Sequence, residues 1–334
     1  MIGTESNHAS SASKEILARL RAMRTASPVA RASSFLERSC GLVHGFQLRV
    51  GLAPDLSDPV VPTLVETFSS MLILDLLVDT EVDPRIPEHL ARYIAGHQED
   101  GMFWFFEDTS LVPPDVDTVA VGLAALARSG AVSLAEPVAS AAIDRIVSNQ
   151  SSSGVIQVYF PPRGGRQERV DPVVCANVLY LLHLAGRGDE ARATEDFVYS
   201  VLERRSYLEG TRYYLAPETF LCLLARVLRV SPSFRARFRP LLRKRVEESL
   251  VTGDAHRRPL SAAQRLMAAN DTGLEARRDV ELLLRSQGPD GSWEAHALGA
   301  TGNSQLRLYF GSRALTTAFA LHALTCYPGT LEAR

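Results

Sequence analysis

Apolar residues along this chain recur at helical spacing, in two registers that alternate. Pro87–His97, Val138–Asn149 and Leu274–Gln287 keep one charged face, which predicts half-exposed amphipathic helices. Asp115–Arg128, Asp171–Ala185 and Ser312–Thr325 are apolar on nearly every side, which predicts helices buried all round. Weaker copies complete the series: Glu190–Arg205 leads through SYLEGTRYY into Pro217–Arg229, and Ser233–Leu250, with Pro240 as a kink, leads through VTGDAH into Arg258–Asn270. At the front, Lys14–Met23 precedes Val60–Val78, making six pairs. Six buried helices ringed by six half-exposed ones describe an all-α (α/α)6 double-layered toroid. No segment sustains period-2 alternation, so almost no sheet is expected. The length of 334 residues alone suggests about two domains. The repeat overrides that and predicts a single barrel over 13–334, after a disordered polar tail at 1–12.

The turns between paired helices share a signature. HQEDGMFWFF (97–106), NQSSSGVIQVYF (149–160) and SQGPDGSW (286–293) each place a Gln, a Gly three or four residues later, then aromatics. Gly101, Gly154 and Gly291 fall where a tight turn wants positive φ. A glutamine can satisfy backbone groups left open at a helix end, and the aromatic fills space against the next unit. These turns fasten a barrel.

Composition narrows the function. Acidic and basic residues number 38 and 36, a balance that argues against nucleic-acid binding. All basic residues except Lys14 and Lys244 are arginine, so local anion sites remain open. The four cysteines stand far apart, in neither disulfide nor zinc spacing. Val60–Val78 carries Pro62, Glu66 and Asp75 and makes a poor membrane span. The expectation is a cytoplasmic protein with no membrane span.

SQGPDGSW, preceded by Leu282, Leu283 and Leu284, resembles the QW motif of the squalene–hopene cyclase and prenyltransferase repeat superfamily. The segments at Gln98 and Gln150 look like weaker copies. PPDVDTVAVGL at 113–123 is similar to the D-x-D-D motif of class II terpene cyclases, with Asp115 and Asp117 in the first and third positions. Thr118 in the fourth brings it nearer the D-x-D-T-T variant of bacterial drimane-type cyclases, although Val119 replaces the second Thr. In those relatives a phosphatase domain is often fused to the cyclase, and class II cyclases usually have a second barrel-like domain. The cavity here would then lie in the barrel mouth or at an oligomer interface. A homo-oligomer and a separate phosphatase are thus the partners the resemblance leaves open.

The resemblance implies protonation of a carbon–carbon double bond by Asp117, with Asp115 and Thr118 beside it. Such chemistry needs a neutral acid facing a dry, oily cavity with π-faces to hold cations. Burial raises a carboxyl pKa while a helix N-terminus lowers it, a contest the sequence leaves open. The plain alternative is that Asp115 and Asp117 cap and complement the helix start. Arg163, Arg166, Arg169, Arg212, Arg258 and Arg313, from the loops and first turns entering the buried helices, are candidates for a substrate diphosphate. Asn177 is cavity lining or a packing amide, Asp171 an N-cap, and Trp104, Phe106, Tyr159, Tyr214 and Tyr309 are the candidate cation-stabilising rings.

The reaction so implied isomerises a linear isoprenoid, a prenyl diphosphate whose diphosphate is retained. It has no obligatory cofactor and no protein-held metal, although Mg²⁺ can accompany the substrate in diphosphate-using relatives. Two alternatives stay open: an (α/α)6 carbohydrate hydrolase or lyase using Asp117 with Asp171 or Glu218, and a non-catalytic toroid that serves as a binding module.

Overall fold

The computed structural model describes residues 27–41, 45–46, 48–57, 59–160, 168–252, 258–302 and 307–329. In chain order its helices are α1 (Pro28–Ser39), α2 (Phe68–Leu77), α3 (Arg85–Gly96), α4 (Val116–Arg128), α5 (Pro137–Ser148) and α6 (Pro172–Leu184). There follow α7 (Arg192–Arg204), α8 (Pro217–Ala225), α9 (Val227–Val230), α10 (Pro232–Thr252), α11 (Pro259–Thr272), α12 (Arg277–Ser286) and α13 (Arg313–Thr325). Each inner helix packs on the next, α2 to α4, α6, α8, α11, α13 and back to α2, so the ring closes. The outer helices α1, α3, α5, α7, α10 and α12 pack against this ring. Every residue of α2 is buried, whereas α3 buries only Ile86, Leu90, Ala91, Tyr93 and Ile94, as the two registers predict.

The helix starts follow local chemistry. Asp115, Asp171 and Ser312 cap α4, α6 and α13 with their side chains, and proline opens α1, α5, α6, α8 and α11 where its missing N–H costs nothing. The turns behave as fasteners. Gln287 Nε2 donates to Pro28 O and Gly291 O, its Oε1 accepts from Arg31, and the buried Trp293 indole donates to Leu283 O at 2.8 Å. Gly291 has φ +91°, and a Cβ there would lie 2.2 Å from Arg31 O, so only glycine fits.

Three expectations need correction. Almost no sheet was anticipated, yet a four-stranded antiparallel sheet ordered β2-β1-β6-β5 is present. Its strands are β1 (Leu48–Gly51), β2 (Pro59–Leu64), β5 (Gly299–Gly302) and β6 (Arg307–Gly311); a two-residue hairpin pairs β3 (Gln98–Glu99) with β4 (Met102–Phe103). Strands of two to six residues are too short to display a period. The apolar run at Val60–Val78 accordingly splits, its first residues in β2 and its helix starting at Phe68. The first outer helix is α1, against α13, and the expected helix Lys14–Met23 lies outside the described residues, as does the tail 1–12. Helix α10 runs unbroken through Pro240.

A candidate acid site under a β-sheet roof

The starts of the inner helices converge on the end that carries the sheet. Between them lies a cavity with some 860 Å³ of space between atoms, its opening to solvent included. Asp115, Asp117 and Thr118 from the first turn of α4 meet it from below, and Leu48, Val50, Ala300, Thr301, Leu308 and Phe310 of the sheet roof it. Phe68, Phe105, Phe106, Tyr159, Tyr213 and Tyr214 form much of the wall, with Val112, Val158 and Val174 between them. Phe105 stacks on Phe68 at 5.4 Å and meets Phe310 edge-on at 5.3 Å, tying wall to roof. The 213–214 segment joins the roof as well: Ala300 N donates to Tyr213 O at 2.8 Å. Gly299 permits that approach, since a Cβ there would lie 2.8 Å from Tyr213 O.

Asp117 has both carboxylate oxygens engaged. Oδ1 accepts from Asn177 Nδ2 at 2.6 Å, and Oδ2 accepts from the Tyr214 hydroxyl at 2.5 Å. Burial, and then the nearby charge of Asp115, push its pKa up to about 7 against the pull of those two hydrogen bonds. Desolvation therefore beats the helix terminus, and a protonated population persists at neutral pH. Asp115 plays the cap: Oδ1 accepts from Thr118 N at 2.9 Å and Oδ2 from the Thr118 hydroxyl at 2.7 Å. Burial raises its pKa too. Asp171 accepts from Val173 N and Val174 N as an N-cap, and it also takes a hydrogen bond from Thr211, which fixes the turn that delivers Tyr214.

The structure brings together Asp115, Asp117, Thr118, Phe106, Tyr159 and Tyr214 from the candidates read in the sequence. Asn177 stands behind Asp117 and does not line the cavity. Two of the candidate arginines lie near its aromatic edge. Arg169 is exposed beside Tyr159, and Arg212 lies 5.8 Å over the Tyr213 ring. Three other candidates do not line the cavity. Arg313 binds Asp290 and Ser292 of the SQGPDGSW turn, Arg258 is exposed at the start of α11, and Tyr309 lies under Arg307. Trp104, half-buried, does not line the cavity, and its carbonyl accepts from the Thr67 hydroxyl. Arg163 and Arg166 lie outside the described residues. Sequence reasoning missed the roof residues, and it missed Asp75 and Arg226, whose signal was a charge set within an otherwise apolar helix.

Comparisons with known proteins converge on one family. Residues 59–185 match the model of the sesquiterpene cyclase astC-like C-terminal domain. Over 227 residues, 67% of this chain, the protein is 34% identical to drimenol cyclase drtB of Aspergillus calidoustus. It resembles in structure a point variant of the type II terpene cyclase MstE from Scytonema, in its apo form, at a TM-score of 0.62 and 14% identity, covering 93% of this chain and 98% of that one. These likenesses support a class II terpene cyclase family for the chain.

The matched segment of the chain holds Asp115, Asp117 and Asn177, so the likeness includes the acid site. The chain spans 40% of the length of drtB. The toroid itself is shared more widely. An alpha-amylase from Clostridium perfringens aligns at a TM-score of 0.60 with 11% identity, over 90% of this chain and 98% of that one. An unsaturated glucuronyl hydrolase specific for heparin aligns at 0.57 with 13% identity, over 90% and 95%. Those two likenesses speak for the fold alone. Among the described residues no helix is long and apolar enough to cross a membrane. Among them, too, no group of three His, Cys, Asp or Glu is placed to hold a metal ion, and no residue is assigned to Mg²⁺.

Proposed function

We propose that this chain cyclises a linear isoprenoid by protonation, with Asp117 as the general acid. The observation that carries the reading is a carboxyl poised near neutrality at the floor of a cavity lined mostly by aliphatic and aromatic side chains. The Oδ2–H bond of Asp117 breaks as its proton forms a C–H bond with a terminal alkene carbon, and the π pair supplies the electrons. Successive alkenes then attack the cation, and loss of a proton from the last cation leaves an isomer of the substrate. No electrons enter or leave. The rings of Phe105, Phe106, Tyr159 and Tyr213 offer their faces to the cations, and the sheet keeps water from quenching them early.

A prenyl diphosphate with its diphosphate retained is the substrate class proposed. No arginine lines the cavity among the described residues, whereas Arg169, Arg212 and Arg307 gather at its rim, the last donating to Arg212 O at 3.3 Å. An oily chain inside and an anion at the rim suit that arrangement. A sesquiterpene cyclase domain and a drimenol cyclase among the relatives favour a C15 chain. Carbohydrate chemistry is disfavoured: Glu218 is tied to Arg265 at 3.1 Å, and neither Glu218 nor Asp171 lines the cavity.

The test is incubation with C10 to C20 prenyl diphosphates and their alcohols, with and without Mg²⁺. Products are read by mass spectrometry before and after phosphatase treatment. A cyclic product released only by phosphatase, and lost in Asp117→Asn, is expected. A folded protein that converts none of these substrates overturns the reading and turns attention to the binding-module alternative.

A further inference from the structure

A run of buried polar groups lies behind Asp117, on the side away from the cavity. Asn177 donates Nδ2–H to Asp117 Oδ1, and its own Oδ1 accepts from Arg226 Nη2 at 2.5 Å. Arg226, at the junction of α8 and α9, pairs through Nη1 with Asp75 Oδ2 at 2.9 Å, and its guanidinium carbon lies 4.2 Å from the Tyr180 ring centroid. Asp75, Asn177, Tyr180 and Arg226 are all buried and come from three sides of the inner ring. A buried ion pair is costly to desolvate, and apolar residues would fill the space as well, so its place behind the acid calls for a reason.

Hydrogen-bond polarity supplies one. A guanidinium only donates, so the Asn177 oxygen must face Arg226 and its NH2 must face Asp117. Turned round, the amide would set NH2 against guanidinium N–H. Oδ1 of Asp117 is therefore always an acceptor. We propose that Arg226, acting through Asn177, holds the acid proton of Asp117 on Oδ2, the oxygen shared with the cavity-lining Tyr214. The inference rests on the protonation role proposed above. It makes Arg226 and Asn177 positioning residues, since neither lines the cavity. As the Oδ2–H proton leaves to form the C–H bond, the Tyr214 hydroxyl turns to donate to the new carboxylate. Asp75 completes the device. A bare cation behind Asp117 would strip its proton, and the carboxylate of Asp75 cancels that charge while leaving the guanidinium to orient the amide. The other titratable groups around Asp117 are Asp115, Asp171, Cys175 and Tyr214, with Tyr159 and Tyr213 also lining the cavity, while α2 and the sheet bring none to the cavity lining among the described residues.

Arg226→Gln alone would leave Asp75 with only its longer 3.6 Å pairing to Arg128 and the Tyr180 hydroxyl, so the deciding variant is the double Asp75→Asn/Arg226→Gln, with Arg226→Lys, which cannot fork to both partners, as the second. Both are compared with the wild-type chain for Tm, kcat, KM and the ¹³C carboxyl titration of Asp117. In both variants Asn177 is free to turn its oxygen toward Asp117 and trap the proton on Oδ1. The Asp117 midpoint then rises above its wild-type position, and kcat falls about 100-fold in the double variant with KM unchanged. Arg226→Lys shifts the same quantities in the same direction by less. A folded variant with unchanged kcat and Asp117 titration overturns the proposal and leaves the network as packing. If the wild type converts no isoprenoid, the protonation reading falls, while the titrations, which need no substrate, still decide whether Arg226 governs Asp117.

Discussion

Tyr214 reaches Asp117 from the loop before α8 and donates to the carboxylate oxygen that Asn177 leaves free. The acid is thereby clamped between two neutral donors from different parts of the ring. A neutral donor favours the ionised form without supplying a counter-charge that would abolish the neutral one.

Tyr214→Phe removes one clamp and keeps the ring. The Asp117 carboxylate loses a stabilising donor, so its midpoint rises above about 7, and the weaker acid turns over more slowly. A kcat lower by about 10- to 100-fold with a small change in Tm is expected from pH–rate profiles and thermal melts.

Asp115→Asn tests the charge next door. Asparagine still caps α4 through Thr118 N, but the negative charge that raises the Asp117 pKa is gone. Wild-type activity needs protonated Asp117 and falls as pH rises through about 7. In the variant that limb moves to lower pH, so the loss of kcat is larger at pH 8 than at pH 5.5.

Glu66 offers a stability prediction independent of catalysis. It is fully buried, Oε2 accepts from Ser69 N at 2.7 Å, and Oε1 has no hydrogen-bond partner among the described residues. Burial pushes its pKa up to about 7. The folded chain thus binds this proton more tightly than the unfolded chain. The associated stability is fully present below the ordinary carboxyl range and is lost as pH rises through about 7. Glu66→Gln mimics the protonated form, so denaturant titrations should show it more stable than wild type at pH 8, by on the order of 3 kcal/mol. The gap should close toward pH 4.

The rim arginines separate diphosphate from chain. With Arg169 and Arg212 both replaced by Ala, KM for a prenyl diphosphate should rise about tenfold or more, and the effect should fade at high salt. KM for the matching alcohol should stay where it is. Steady-state kinetics on the two substrates decide it.

Much of this was legible in the sequence for a physical reason. Helices buried on every side, such as α6, cannot hide their composition, and the turns around Gly101, Gly154 and Gly291 demand positive φ, which all three adopt at +74°, +77° and +91°. Asp115 and Asp117 stood out because PPDVDTVAVGL, at the start of a buried helix, is similar to the D-x-D-D motif. The roof was illegible, since β1 and β6 are four and five residues long and meet only through tertiary pairing. The arginines misled in part because charge alone does not give direction. Arg313 looked like an anion ligand and instead braces its own turn through Asp290. Asp75 and Arg226 gave a signal, a charge inside an apolar run, but only their meeting across the ring gave it meaning.

The ring and its roof are fastened at one seam. Helix α13 closes the inner circle against α2, and β6, which leads directly into α13, pairs with β1, which belongs to the segment leading into α2. The first and last parts of the described chain therefore meet twice, once in the wall and once overhead. An assembling chain can stack its middle helices in sequence, yet Asp117 stays wet until this long-range joint forms. Waterproofing thus depends on a joint between distant parts of the chain, and the reactive carboxyl has its unusual proton affinity only in a finished molecule.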